Sequence, residues 1–181
     1  MSQQLESALV VLVPESEALV KPIRERCDPS AALGVPAHIT ILYPFKQPHD
    51  IESDLLLTLQ GLFRRFPPFT FMLTELRTFP GVLYLAPTPR EPFVALTQAV
   101  ADRFPETPPY RGEFSEIIPH LTLAHFQGDE QLACLTSEIK AAMQSRPNIQ
   151  ATATNVTLLD NAQGRWQVRA VFRLGDGCLD G

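Results

Sequence analysis

Two short stretches of this chain carry the same chemical pattern. The first is Pro36-Ala37-His38-Ile39-Thr40-Ile41-Leu42-Tyr43-Pro44-Phe45, and the second is Ile118-Pro119-His120-Leu121-Thr122-Leu123-Ala124-His125-Phe126. Each places a proline just ahead of a histidine and then reads His, apolar, Thr, apolar. An imidazole has an unperturbed pKa near 6.5, so near neutral pH it can both take and give a proton. A threonine hydroxyl beside it is a neutral hydrogen-bond donor. The alternation with branched apolar residues predicts β-strands. On a strand, residues two apart share a face. His38 and Thr40 therefore point one way, as do His120 and Thr122, while Ile39, Ile41, Leu121 and Leu123 point toward the interior. Two such faces brought across a groove could flank one phosphorus. One imidazole would serve the attacking oxygen and the other the leaving oxygen, with the two hydroxyls on the non-bridging oxygens.

The competing reading is a pair of strand histidines satisfied by neighbouring threonines. The chain has only 4 histidines, so two of them in the same extended context rarely coincide by accident. The other two do not fit the pattern. His49 falls in a loop ahead of a helix. His125 lies at an odd offset from His120, which on a regular strand turns it to the opposite face. The same parity turns Tyr43 away from His38. Tyr84, Arg111 and Lys46 are candidates for a substrate rim. Tyr43, Tyr84, Phe45, Tyr110 and Phe114 could stack on a base, although core packing is the commoner use of each. A metal is the other use for paired histidines, but no Asp or Glu shares either motif face and threonine is a poor ligand. Motifs for phosphate-cradling loops, dinucleotide binding or a zinc-bound helix are absent.

The elements that must position these residues follow from periodicity. Leu5 to Val13 predicts a buried strand and Glu15 to Arg26 a helix, kinked or split at Pro22. A loop from Asp28 to Pro36 delivers the chain to the first motif. Asp50 to Phe66 is an amphipathic helix with Asp50 as its cap. Phe69 to Phe79 and Val82 to Ala86 form a hairpin around Pro80-Gly81. Arg90 to Phe104 is a third helix, followed by a long loop, Pro105 to Ile118, into the second motif. Asp129 to Ser145 is a fourth helix. Ile149 to Leu159 and Trp166 to Leu174 read as a closing hairpin. The order contains a weak internal repeat with one motif in each half, and a duplicated α+β fold with a cleft between two lobes follows. Residues 1–175 are expected to form one bilobal domain, and 176–181 a flexible tail.

Bulk properties narrow the setting. Its 181 residues are ample for a core, and 45% are apolar, as in ordinary globular chains. No apolar run is long enough to span a membrane, and the strand-sized run from Ala8 to Val13 is no signal peptide. The 3 scattered cysteines favour a reducing compartment, so a cytoplasmic location is expected. A net charge of −5 lacks the basic footprint of a protein devoted to long nucleic acid and favours a small substrate.

The paired His-apolar-Thr-apolar tetrads, one in each half, resemble the two-histidine (2H) phosphoesterase superfamily and in particular its bacterial 2′-5′ RNA ligase-like branch. Ala8 to Pro14, Gly34 to Thr40 and Phe114 to Ala124 carry the resemblance, which runs from about Leu5 to about Leu174. It implies two lobes of antiparallel sheet with helices outside and one motif strand from each lobe at a central groove. It also implies that His38 and His120 are the general acid–base pair and that Thr40 and Thr122 bind the phosphate. The activity implied is a metal-independent phosphodiesterase acting on 2′,3′-cyclic phosphate or 2′-5′ linked nucleotides or RNA ends, reversible as a 2′-5′ RNA ligase. No cofactor is expected, and a monomer is the expected state. The alternative is a module that binds a nucleotide or RNA end in the same cleft without turning it over.

Overall fold

The computed structural model describes residues 4–113, 116–145 and 149–175. The tail expected at 176–181 and Phe114 lie outside these. Eight strands form two antiparallel sheets of four, with the order β2-β1-β7-β8 in the first and β5-β4-β3-β6 in the second. The strands are β1 Ser7–Leu12, β2 His38–Leu42, β3 Phe69–Phe79, β4 Val82–Thr88, β5 Leu121–His125, β6 Ile149–Ala153, β7 Asn155–Asp160 and β8 Gln167–Arg173. The helices are α1 Glu17–Cys27, α2 Pro29–Ala32, α3 Ser53–Phe63, α4 Glu91–Arg103 and α5 Asp129–Ser145. This is the α+β architecture that the order of strands and helices predicts, with the two antiparallel sheets that the family resemblance implies.

Both histidine motifs fall on edge strands, β2 in one sheet and β5 in the other, and the two edges meet. Helices brace the junction crosswise: α1 packs on β5, and α4 packs on β2. Leu9, Val11, Ile39 and Ile41 from the first sheet share one continuous apolar cluster with Phe71, Leu83, Leu121 and Leu123 from the second. Phe93, Leu96 and Val100 of α4 join it, none of them accessible to water. One core across both sheets fixes the two edges relative to each other, because shifting either would open voids in a packed interior.

Four sequence expectations need correction. Helix α1 runs through Pro22 without a break, since one proline removes a single intrahelical bond. Helix α3 starts at Ser53 after Glu52, and Asp50 belongs to a short 3-10 turn before it. The loop expected from Asp28 to Pro36 contains the single-turn helix α2, capped by the Asp28 side chain. The strand expected from Ile149 to Leu159 is two strands. Its first part pairs with β3 in the second sheet, and its second part pairs with β1 and β8 in the first. The chain changes sheets at Thr154, so the supposed closing hairpin is β7 with β8 only.

Candidate active site

The approach to His38 is built on a buried ion pair. Arg24 of α1 and Asp28 are each almost fully buried, with Arg24 Nη2 2.9 Å from Asp28 Oδ2. Arg24 Nη2 also donates to the Val35 carbonyl at 3.1 Å. Asp28 Oδ1 accepts from the Ser30 N–H at 3.0 Å. These bonds tie the segment before β2 to α1 and fix where His38 enters the sheet. Burying two charges is tolerated here because each finds several partners.

The two motif histidines are held alike. His38 Nδ1–H donates to the Pro36 carbonyl at 2.7 Å, and His120 Nδ1–H donates to the Ile118 carbonyl at 2.7 Å. A carbonyl oxygen can only accept, so in each neutral ring the proton sits on Nδ1 and Nε2 keeps its lone pair. The basic nitrogen is thus the same atom in both. The His120 ring also packs in a corner of aromatic rings, 5.0 Å from Phe79 and 5.4 Å from Tyr84 by centroids. Burial lowers the pKa of His38 to about 4 against the opposing pull of the Pro36 carbonyl, with the Arg24 charge and His120 adding to the depression and Asp28 countering it. Burial likewise lowers the pKa of His120, against the Ile118 carbonyl. The two imidazoles are close enough for the charge of one to disfavour that of the other.

A cleft of about 550 Å³ lies over these strands. His38, Thr40 and Thr122 line it together, whereas His120 is not part of that lining. His125 and Tyr43, which strand parity sends to the opposite face, line it as well. The reason lies in the register. Val10 pairs with Thr40 and Leu9 with Leu42, so Ile41 is an extra residue in β2. Tyr84 pairs with Thr122 and Leu83 with Ala124, so Leu123 is an extra residue in β5. Each is a β-bulge, which inserts one residue and inverts the alternation beyond it. Ile41 and Leu42 are accordingly both buried, as are Leu123 and Ala124. In each strand the residue five beyond the histidine returns to the cleft face: Tyr43 after His38, His125 after His120.

The rim candidates divide. Tyr84 is buried against Phe79, centroids 4.3 Å apart, packs against the His120 ring, and lines a separate cavity with Ile118 and Pro119. Lys46 is paired with Glu106 and lies 5.7 Å from the Phe104 ring centroid. Arg111 Nη2 donates to Glu6 Oε1 at 3.0 Å, and Glu6 lines the cleft. Among the stacking candidates, Phe45 is core and sits edge-on to Phe104. Tyr110 lies over the site: its hydroxyl shares a hydrogen bond with Thr40, and its backbone N–H donates to the Tyr43 carbonyl at 2.8 Å. Tyr110 and Arg111 both adopt left-handed backbone, with φ 49° and 57°, which turns the loop back toward the cleft. Glu6 and Trp166 belong to no sequence motif; the only sequence signal at Trp166 is its position beside the turn at Gly164. His49 is exposed beside Asp50, away from the site. Among the described residues no three His, Cys, Asp or Glu side chains come together as a metal site.

Residues 12–165 match the sequence model of the 2′-5′ RNA ligase superfamily. A Bacillus licheniformis protein that carries a phosphoesterase name is 27% identical over 171 residues, covering 92% of this chain and 97% of its own. Among solved structures, Escherichia coli LigT complexed with 3′-AMP superposes with a TM-score of 0.62 at 16% identity, covering 95% of this chain and 99% of LigT. TT0787 of Thermus thermophilus does so with a TM-score of 0.61 at 20% identity, covering 94% and 99%. At these identities the structural likeness establishes a common fold.

Proposed function

From the premise that this chain belongs to the 2′-5′ RNA ligase superfamily, we propose that it is a phosphoesterase. Its reaction is the opening of 2′,3′-cyclic phosphates or the cleavage and joining of 2′-5′ linked nucleotides, and His38 and His120 move the protons. The observation that carries this reading is the matched pair of imidazoles, each with its proton fixed on Nδ1 by a backbone carbonyl two residues earlier. Both present the same basic nitrogen, so the one that takes a proton from the attacking hydroxyl and the one that returns a proton to the leaving oxygen can exchange parts when the reaction reverses. An anionic phosphodiester entering beside a neutral imidazole raises that imidazole's pKa, supplying the acid that burial alone disfavours. Thr40 and Thr122 donate to the non-bridging oxygens, where charge builds in the transition state. Tyr110 holds the Thr40 hydroxyl in place before substrate arrives. The phosphoesterase name of the Bacillus relative and the nucleotides found with LigT, namely 3′-AMP and ATP, support a small nucleotide as substrate. Among the described residues no helix is long and apolar enough to cross a membrane.

Replacing His38 and His120 by Ala one at a time tests this. Each change is expected to lower kcat on 2′,3′-cyclic AMP about 10²- to 10⁴-fold, and the double variant is expected to fall little further than the worse single one. Full activity in either single variant refutes the assignment. Tight nucleotide binding with no product from the wild-type protein would select the binding-module alternative.

A further inference from the structure

The cleft is lopsided. Its lining takes Thr122 and His125 from the second sheet, and most of its remaining surface from the first sheet and the loops around it. Strand β1 turns Leu9 and Val11 into the main core, so Ala8 and Val10 face the cleft. With Val35 and Leu159 they form a small apolar cluster separate from the main core, and Tyr43 and Trp166 pack against it. Trp166 is held firmly there. Its backbone N–H donates to the Leu33 carbonyl at 3.0 Å, and its ring lies edge-on to Tyr43 with centroids 6.3 Å apart. Gly34, at φ 94°, lets the loop before β2 pass close beneath, since a Cβ there would sit 3.3 Å from the Trp166 carbonyl oxygen. Leu33 itself stays exposed at the edge of this wall.

Two polar side chains at this end, Asn161 and Glu6, are already engaged. Asn161 Oδ1 accepts the Glu6 N–H at 2.8 Å, and Asn161 Nδ2 donates to the Gln4 carbonyl at 2.9 Å. Glu6 accepts the Tyr43 hydroxyl at 2.6 Å and Arg111 Nη2 at 3.0 Å. Beside His38 and Thr40, groups suited to a phosphate, the cleft thus carries an apolar surface made by Ala8, Val10, Val35, Leu159 and Trp166. Such a surface accepts any base by its π-face and discriminates little among base edges. A volume of about 550 Å³ sits within the usual range for a small-molecule site.

We propose that this wall, with Trp166 at its centre, is the nucleobase subsite, and that the substrate class is nucleoside phosphates of any base, held by stacking without edge readout. The proposal rests on the nucleotide phosphodiester reading above. Trp166 is the only tryptophan of the chain, so its fluorescence reports on the subsite alone. Titrating the wild-type protein with 3′-AMP, 3′-GMP, 3′-CMP and 3′-UMP should quench that fluorescence saturably, with dissociation constants within about tenfold of one another, whereas ribose 5-phosphate should not quench it. In Trp166→Ala, kcat/KM for 2′,3′-cyclic nucleotides relative to base-free ribose 2′,3′-cyclic phosphate should fall about tenfold for every base, and Trp166→Phe should recover most of the ratio. Calorimetric binding of these nucleotides without quenching, or quenching by one base alone, overturns the subsite and leaves the phosphoesterase reading standing. Quenching by all four with no turnover of any cyclic substrate supports the subsite and overturns the phosphoesterase reading.

Discussion

Protonating His38 should weaken the fold by an amount the site itself sets. The ring is half-buried at the start of β2, and burial is the main reason its pKa falls to about 4, with Arg24 pushing the same way. In the unfolded chain the ring titrates near 6.5. Between those two values the unfolded state binds more protons than the native state, so stability falls as pH falls. The contribution is fully present above pH 6.5 and is lost as pH drops through 4. A shift from 6.5 to about 4 corresponds to at most about 3 kcal/mol at 1.36 kcal/mol per unit. Water reaches part of the ring, which brings the expected value to about 1–2 kcal/mol. Urea unfolding of wild type and His38→Gln at about pH 7.5 and pH 4.5 measures it, because every other titrating group cancels in the difference. The variant should gain on wild type by about 1–2 kcal/mol at the lower pH. A difference that does not change with pH, or one that favours the variant at the higher pH, refutes the argument that burial holds this imidazole neutral.

Three other outcomes follow from the same geometry. Thr40→Val and Thr122→Val each remove one donor to a charged phosphate, worth about 1.5–3 kcal/mol, so kcat should fall roughly 10- to 150-fold with a much smaller change in KM; a change confined to KM would place the hydroxyls in ground-state binding only. Arg24→Met leaves Asp28 charged and buried, so unfolding in urea should show a loss of about 3–5 kcal/mol, whereas a loss below 1 kcal/mol would mean that water reaches the pair. Incubation with EDTA should leave turnover of a cyclic nucleotide unchanged, since the motif faces offer imidazoles and hydroxyls without a carboxylate; inhibition that added Zn²⁺ or Mg²⁺ reverses would require a metal in the reaction.

Most of the fold was legible because its elements obey one period each. The hairpin of β3 and β4 announces itself by alternation broken at Pro80-Gly81, and α5 by Leu132, Leu135, Ile139 and Met143 at helical spacing. The run from Ile149 to Leu159 misled because both of its halves are good strands. The switch at Thr154 is dictated by which partner each half finds, β3 for one and β1 for the other, and a local pattern holds no record of distant partners. Helix α3 begins later than the cap residue Asp50 suggests, because a 3-10 turn at Pro48–Asp50 takes up the segment that a cap would otherwise start.

The histidines and threonines of the two motifs could be read in sequence because two residues on an unbroken strand share a face wherever that strand goes. Tyr43 and His125 could not, because the alternation that carries His38 and Thr40 to the cleft is interrupted before it reaches them. Ile41 and Leu123, the residues that interrupt it, look like any other core positions; what makes them extra is that β1 and β4 offer no partner for them. Both motif strands lie at sheet edges, where pairing on one side only leaves room for a bulge. The same insertion, one residue after the threonine, therefore occurs twice and has the same effect twice. The internal repeat of this chain thus extends past the His and Thr of each motif to one further cleft position in each half, an aromatic phenol in one and an imidazole in the other. At that point the symmetry of the frame ends, and the two banks of the cleft become chemically different.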